Sequence, residues 1–247
     1  MRITVIGASG QIGSRVVGLL RRAGHEVVGA ALSTGVDVRS GAGLPEAMDG
    51  ADVVVDVVNS PSFEDGPVME FFTVAAHRLL GAARAAGVGH YLVLSIVGCD
   101  RLPDSGYLRA KAAQERAVAA AGIPYTIVRA TQFDEFAAAI VDSLTHDGQV
   151  RVPDGRIQPI AADDVAAEVA RSAVAAPRNG VRDIGGPEKM SFAELARTVL
   201  ADRGRELPVV IDPRATYFGT VVDADSLVTG EGATLAPTTP ADWFAQR

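Results

Sequence analysis

Short apolar runs alternate with alanine-rich stretches of helical periodicity through residues 1–130, and this rhythm constrains the fold more than any other feature. Residues 3–6, 27–32, 52–58, 91–97 and 125–128 read as strands, with a further short one at 36–38. Ile12, Val16, Val17, Leu19 and Leu20 recur at helical spacing, and 44–48, 67–86 and 105–121 read as helices. Parallel strands need a crossover of a dozen or more residues between them, which these helices supply. Helices then cover both faces of a parallel sheet, and right-handed crossovers wind it doubly. Past Arg129 the rhythm weakens. Helices are expected at 133–144, at 163–175 with Asp163 or Asp164 as its start, and at 191–203 with a Ser191–Glu194 capping box. An extended piece is expected at 157–160 and a strand at 181–184. The chain reads as one α/β unit, 1–247, with a core of about 1–130 and a remainder rich in Thr, Pro and Gly that wraps back as a lid or lobe.

Hydrophobic residues make up 48% and charged residues 21%, enough apolar surface for a sizeable core. A net charge of −7 argues against nucleic acid or an anionic membrane as partner. Cys99 is the single cysteine, so no internal disulfide exists and a reducing cytoplasm fits. No apolar run approaches the roughly 18 residues of a membrane span. The opening residues read as a strand running into a glycine loop rather than as a leader. The four histidines lack metal-ligand spacing, so no metal site is expected.

The loop Gly7-Ala8-Ser9-Gly10-Gln11-Ile12-Gly13 joins the first strand to the first helix. Gly7 permits a tight turn, Gly10 lets backbone approach a diphosphate, and Gly13 lets helix and strand pack closely. Backbone N–H groups at the helix start then face an anion. NAD enzymes place an acidic residue after the second strand to meet the ribose hydroxyls. Here the stretch is Leu32-Ser33-Thr34-Gly35, without a carboxylate, so Ser33, Thr34 and Arg15 are candidates for a 2′-phosphate. NADP is therefore expected over NAD, although Ser33 and Thr34 also suit a plain turn. Asp37 and Val38 are placed for the adenine, and Asn59 for the cofactor edge.

Tyr107 and Lys111 stand four apart on one helix, sharing a face, and Ser95 ends the preceding strand. A phenol can protonate a forming alkoxide, a nearby ammonium lowers the phenol pKa, and a serine hydroxyl can hold a carbonyl. Of 23 basic residues only Lys111 and Lys189 are lysines, so a retained Lys111 points to a need for a compact ammonium. Cys99 is expected as a buried inert thiol, and Tyr217 and Phe218 as lining of the substrate pocket.

At these residues the chain resembles the atypical short-chain dehydrogenase/reductase superfamily, in its NmrA-like branch. The matching stretches are GASGQIG at Gly7, LVLSIVG around Ser95, GYLRAKAAQE around Tyr107, IPYTIVRATQF ending at Phe133 and IQPIAADDVA ending at Ala166. The resemblance implies a Rossmann core with a small C-terminal substrate lobe built mainly from about 131–160 and 186–247, a turn holding Ala130, Thr131 and Phe133 beside the nicotinamide, and 160–164 near the cleft. It implies an NAD(P)H-dependent oxidoreductase acting on a small carbonyl or quinone, with Ser95, Tyr107 and Lys111 as the catalytic trio and Lys111 also holding the ribose. Other members of the branch bind dinucleotide as redox sensors and catalyse little. They usually lack the tyrosine, so Tyr107 favours an enzyme. An epimerase or dehydratase that retains its cofactor is a third reading. Self-association as a homodimer is left open.

Overall fold

The computed structural model describes residues 1–246. Seven parallel strands form the main sheet: β1 Arg2–Ile6, β2 Glu26–Ala30, β3 Val53–Asp56, β4 His90–Ile96, β5 Tyr125–Ala130, β9 Gly180–Gly185 and β12 Thr234–Leu235. Their spatial order is β12-β9-β5-β4-β3-β1-β2. The order reverses beside β1, which lies between β2 and β3 with Ile3 opposite both Val27 and Val53. Such a switch point opens a crevice at the carboxyl ends of the strands, where α/β sheets bind ligands.

Each face of the sheet is closed by helices whose apolar stripes follow from the sequence. On one side α1 (Gln11–Arg22) and α6 (Ala162–Val174) bury Val16, Leu20, Val165 and Val169 against Ile3, Val5 and Val128. On the other, α2 (Leu44–Met48), α3 (Asp65–Ala85) and α4 (Gly106–Ala120) bury Leu44, Met48, Leu79 and Val118 against Ile6, Val54, Val93 and Ile127. β3 and β4 lie inside both layers, which is why they read as continuous apolar runs.

A second apolar cluster joins the core to the later segments. Cys99, Leu102 and Leu108 pack with Ile140 and Val141 of α5 (Ala137–Ser143) and with Val150 and Val152 of β7 (Gln149–Val152). Phe192, Leu195 and Val199 of α7 (Phe192–Asp202) complete it. β6 (Thr145–His146) and β11 (Val209–Ile211) flank β7 in a small sheet, and β8 (Arg156–Ile157) pairs with β10 (Met190–Ser191). The expected capping box holds α7: Glu194 N donates to Ser191 Oγ at 3.1 Å, and Ser191 N donates to Glu194 Oε2 at 2.7 Å.

Several local expectations are corrected. Residues 36–38 form no strand. Asp37 accepts from Arg39 N and the Ser40 hydroxyl, at 2.8 and 2.9 Å, which curls the segment into a local turn. The 133–144 helix is broken into a 3₁₀ turn (Asp134–Phe136) and α5. The 157–160 piece pairs as a strand only at Arg156–Ile157, Ile160 making a single bridge to Phe133. α6 begins at Ala162 with Asp163 and Asp164 in its first turn, as expected, but neither side chain caps it. Glu135 reaches across from the 3₁₀ turn to accept from Ala162 N, while Asp163 pairs with Arg15 and Asp164 accepts from Thr238 N. The tail returns to the main sheet at β12 rather than staying in the lobe.

Candidate active site

The glycine loop sits at the carboxyl end of β1. Gly7 adopts φ +86°, a region open to glycine at little cost, and its N–H donates to Ala30 O at 2.9 Å. A Cβ on Gly13 would lie 2.1 Å from Gly7 O, so α1 can approach the loop this closely only with glycine there. No side chain caps α1, and its first turn carries no acidic residue. Its opening N–H groups and the positive end of its dipole therefore face the crevice uncompensated. At the carboxyl end of β5, Thr131 Oγ1 and both amide atoms of Gln132 are buried without partners. Uncompensated donors at one end and orphaned polar atoms at the other fit a long polar ligand such as a dinucleotide.

The other cofactor candidates divide. Ser9, Gly10, Ser33 and Asn59 are exposed along this edge, whereas the Ile12 side chain belongs to the core and leaves only its backbone for a ligand. The Thr34 hydroxyl is occupied in closing its own turn, accepting from Ala31 N at 2.9 Å and donating back to Ala31 O. Arg15 is held by Asp163 at 2.5 Å and by Gln11 O at 2.7 Å. Of the three groups expected to meet a 2′-phosphate, Ser33 is the one left exposed without a local partner in its turn.

Among the described residues, no hydrogen bond joins Ser95, Tyr107 and Lys111 to one another. The Tyr107 hydroxyl, half a turn into α4, donates to Asn59 Oδ1 at 3.0 Å, tying the helix to the loop after β3. Burial raises its pKa to about 12, even though the Asn59 bond acts in the opposite sense. The expected lowering by Lys111 is not found. The Lys111 ammonium is buried; it donates to Leu94 O at 2.9 Å and to Gln114 Oε1, and lies 4.6 Å above the Phe72 ring. Gln114 in turn donates to Asp56 Oδ2 at 2.9 Å, which also accepts from Tyr91 at 2.9 Å. Burial pushes the Asp56 carboxyl up against the pull of Lys111, and pushes the Lys111 ammonium down against the pull of Asp56.

Ser95 turns toward Cys99, whose Sγ lies 3.8 Å from its Oγ. Cys99 donates to Glu115 Oε1 at 3.2 Å, and Glu115 forms a two-point ion pair with Arg129, which also binds Asp100. Burial, with Glu115 alongside, holds the thiol up at about 12, so Cys99 is unreactive at neutral pH.

Sequence reasoning passed over Asp56, Gln114 and Phe63. Asp56 carried a signal, being a carboxylate inside an otherwise apolar strand, and Gln114 follows Lys111 by one helical turn. Phe63 carried none. It comes from the loop after β3 and packs edge-on to Tyr107, centroids 5.1 Å apart, while Phe218 arrives from the late segment at 5.9 Å.

A family profile described as NAD(P)H-binding matches residues 7–176. An NAD(P)H azoreductase of Xenophilus azovorans is 30% identical over 84% of this chain and 76% of its own length. A (4-alkanoyl-5-oxo-2,5-dihydrofuran-3-yl)methyl phosphate reductase of Streptomyces griseus is 29% identical over 83% of this chain and 75% of its own. The solved structure of MoeE5 in complex with UDP-glucose and NAD superimposes with a TM-score of 0.75 at 21% identity, covering 99% of this chain and 96% of that one. The chain belongs to the NAD(P)H-binding family and carries a Rossmann-like fold.

Proposed function

We propose that this chain is an NADPH-preferring reductase of a small carbonyl or quinone, with Tyr107 as proton donor. The observation that carries the reading is a phenol at the carboxyl edge of the sheet, held by Asn59 and kept protonated throughout the neutral range. A neutral phenol is a donor and a poor base, which suits reduction rather than oxidation near pH 7. The relatives named as reductases support the same reaction class.

The N–H groups of residues 11–13 would seat the diphosphate, Ser33 the ribose phosphate, Asp37 and Val38 the adenine, and Ala130, Thr131 and Phe133 the nicotinamide side. When bound, the reduced dinucleotide supplies a hydride. Tyr107 gives its hydroxyl proton to the substrate oxygen as negative charge develops there. Ser95, whose one hydroxyl contact is the weak one to Cys99, turns to orient that oxygen. Lys111 supports α4 beneath Tyr107 through Leu94 and Gln114.

Tyr107→Phe tests this. With a naphthoquinone or aldehyde as substrate, kcat is expected to fall at least tenfold, since general acid catalysis contributes about 10²–10⁴-fold. The dissociation constant for NADPH is expected to stay within about twofold, because the hydroxyl is bonded to Asn59. Unchanged turnover removes Tyr107 from the mechanism. Tighter binding of NADH than NADPH refutes the cofactor preference.

A further inference from the structure

We propose that Phe63 and Phe218 form a two-ring clamp at Tyr107 that selects flat, conjugated, uncharged substrates over aliphatic or phosphorylated carbonyls. This rests on the reductase reading of the Tyr107 site and narrows its substrate class.

Three rings from three distant segments meet here. Phe63 and Phe218 lie 5.7 Å apart, and each is within 6 Å of the Tyr107 ring, at interplanar angles from 34° to 69°. Tyr217 backs Phe218 edge-on at 4.8 Å and is itself buried. Yet Phe63 remains 51% and Phe218 45% exposed, so both rings present apolar faces to water beside the proposed proton donor. Exposed aromatic surface concentrated beside a proton donor is the mark of a binding surface.

The backbone at Phe218 strengthens the case. Tyr217 and Thr220 exchange both backbone hydrogen bonds, at 2.8 and 3.1 Å, around Phe218 and Gly219, whose φ values are +47° and +77°. A tight turn with two left-handed central residues favours Asn-Gly. A bulky aromatic at the first of these positions is sterically unfavourable. Turn formation alone would not select phenylalanine here, and such strain is characteristic of ligand-binding positions.

Charge gives the rest of the selectivity. Arg109, two residues after Tyr107, is held by Asp65 at 3.1 Å and by Pro103 O. Arg101 donates to Ser226 O. The Lys111 ammonium is committed below the site. An anionic substrate would find these cations engaged, whereas a conjugated ring can pack against aromatic faces and edges.

The test uses the full chain with NADPH, taking 1,4-naphthoquinone, butanal and glyceraldehyde 3-phosphate as substrates. 1-Naphthol, which is not reduced, serves as a binding probe followed by its own fluorescence. Phe63→Ala and Phe218→Asn are each expected to weaken 1-naphthol binding and lower kcat/KM for naphthoquinone about tenfold. Butanal is expected to change less than threefold. Phe63→Tyr is expected to retain wild-type behaviour. Because Asn suits the turn, Phe218→Asn is expected to keep or raise the melting temperature, separating loss of the ring from loss of the fold. The proposal is overturned if 1-naphthol binds both variants as it binds wild type, if butanal falls in parallel with naphthoquinone, or if the phosphorylated aldehyde is the best substrate. Naphthoquinone turnover that needs Tyr107 but neither phenylalanine would leave the reductase and remove the clamp. Phenylalanine-dependent 1-naphthol binding without any turnover would leave the clamp and remove the reductase.

Discussion

Lys111→Met isolates the buried network beneath Tyr107. The substitution removes two hydrogen bonds made by a charged group, to Leu94 O at 2.9 Å and to Gln114 Oε1, and the contact 4.6 Å above Phe72. Hydrogen bonds to charged groups contribute about 1.5–3 kcal/mol each, and a buried cation–π contact up to about 2 kcal/mol. Against this gross loss stands the relief of no longer desolvating an ammonium, the effect that pushes the Lys111 pKa down. What remains is a carboxylate at Asp56 that has lost its balancing charge. Removing one partner from a buried charge arrangement costs about 3–5 kcal/mol net, and that is the expected loss. Urea denaturation followed by circular dichroism at pH 7.5 measures it. Asp56→Asn in the same chain is expected to restore about 1 kcal/mol or more relative to the sum of the single changes, because the two sites share Gln114. A loss below about 1 kcal/mol, or strict additivity, would refute the network. The folded variant is also expected to bind NADPH within threefold of wild type. A far larger loss would return Lys111 to the ribose, as the sequence reading had it.

Two further outcomes follow from other parts of the molecule. Gly13→Ala places a methyl 2.1 Å from Gly7 O, a backbone atom that cannot step aside without moving the loop; a loss of about 1–3 kcal/mol in stability and a tenfold or greater loss of NADPH affinity are expected by thermal melting and cofactor titration. Asp134 is buried with both carboxylate oxygens unpartnered, and burial together with Glu135 and Asp164 raises its pKa to about 7. The folded protein therefore keeps this proton to higher pH than the unfolded chain. Its contribution to stability is full below about pH 4 and is lost as pH rises through 7, on the order of 4 kcal/mol. Asp134→Asn is expected to stabilise the protein at pH 8 and to do little at pH 4; an equal effect at both would show that the carboxyl does not titrate this way.

Elements decided by local rules were legible in the chain itself. The glycine loop, the apolar strands β3 and β4, and the Ser191–Glu194 box depend on residues close in sequence, so spacing alone reveals them. The helix through 105–121 and its pairing of Tyr107 with Lys111 on one face were readable for the same reason. The third-strand reading of 36–38 went wrong because a run of three residues weighs less than the Asx-type turn that Asp37 can close.

Long-range choices were not legible. Spacing puts Tyr107 and Lys111 together, but the tertiary structure decides that the phenol meets Asn59, 48 residues away, while the ammonium turns down toward Asp56 and Gln114. It likewise decides that Ser95 faces Cys99, and that Phe63 and Phe218 meet over one ring. Periodicity records which face of an element is apolar. It does not record what lies opposite that face, and burial set by those distant neighbours is what raises the Tyr107 pKa instead of lowering it.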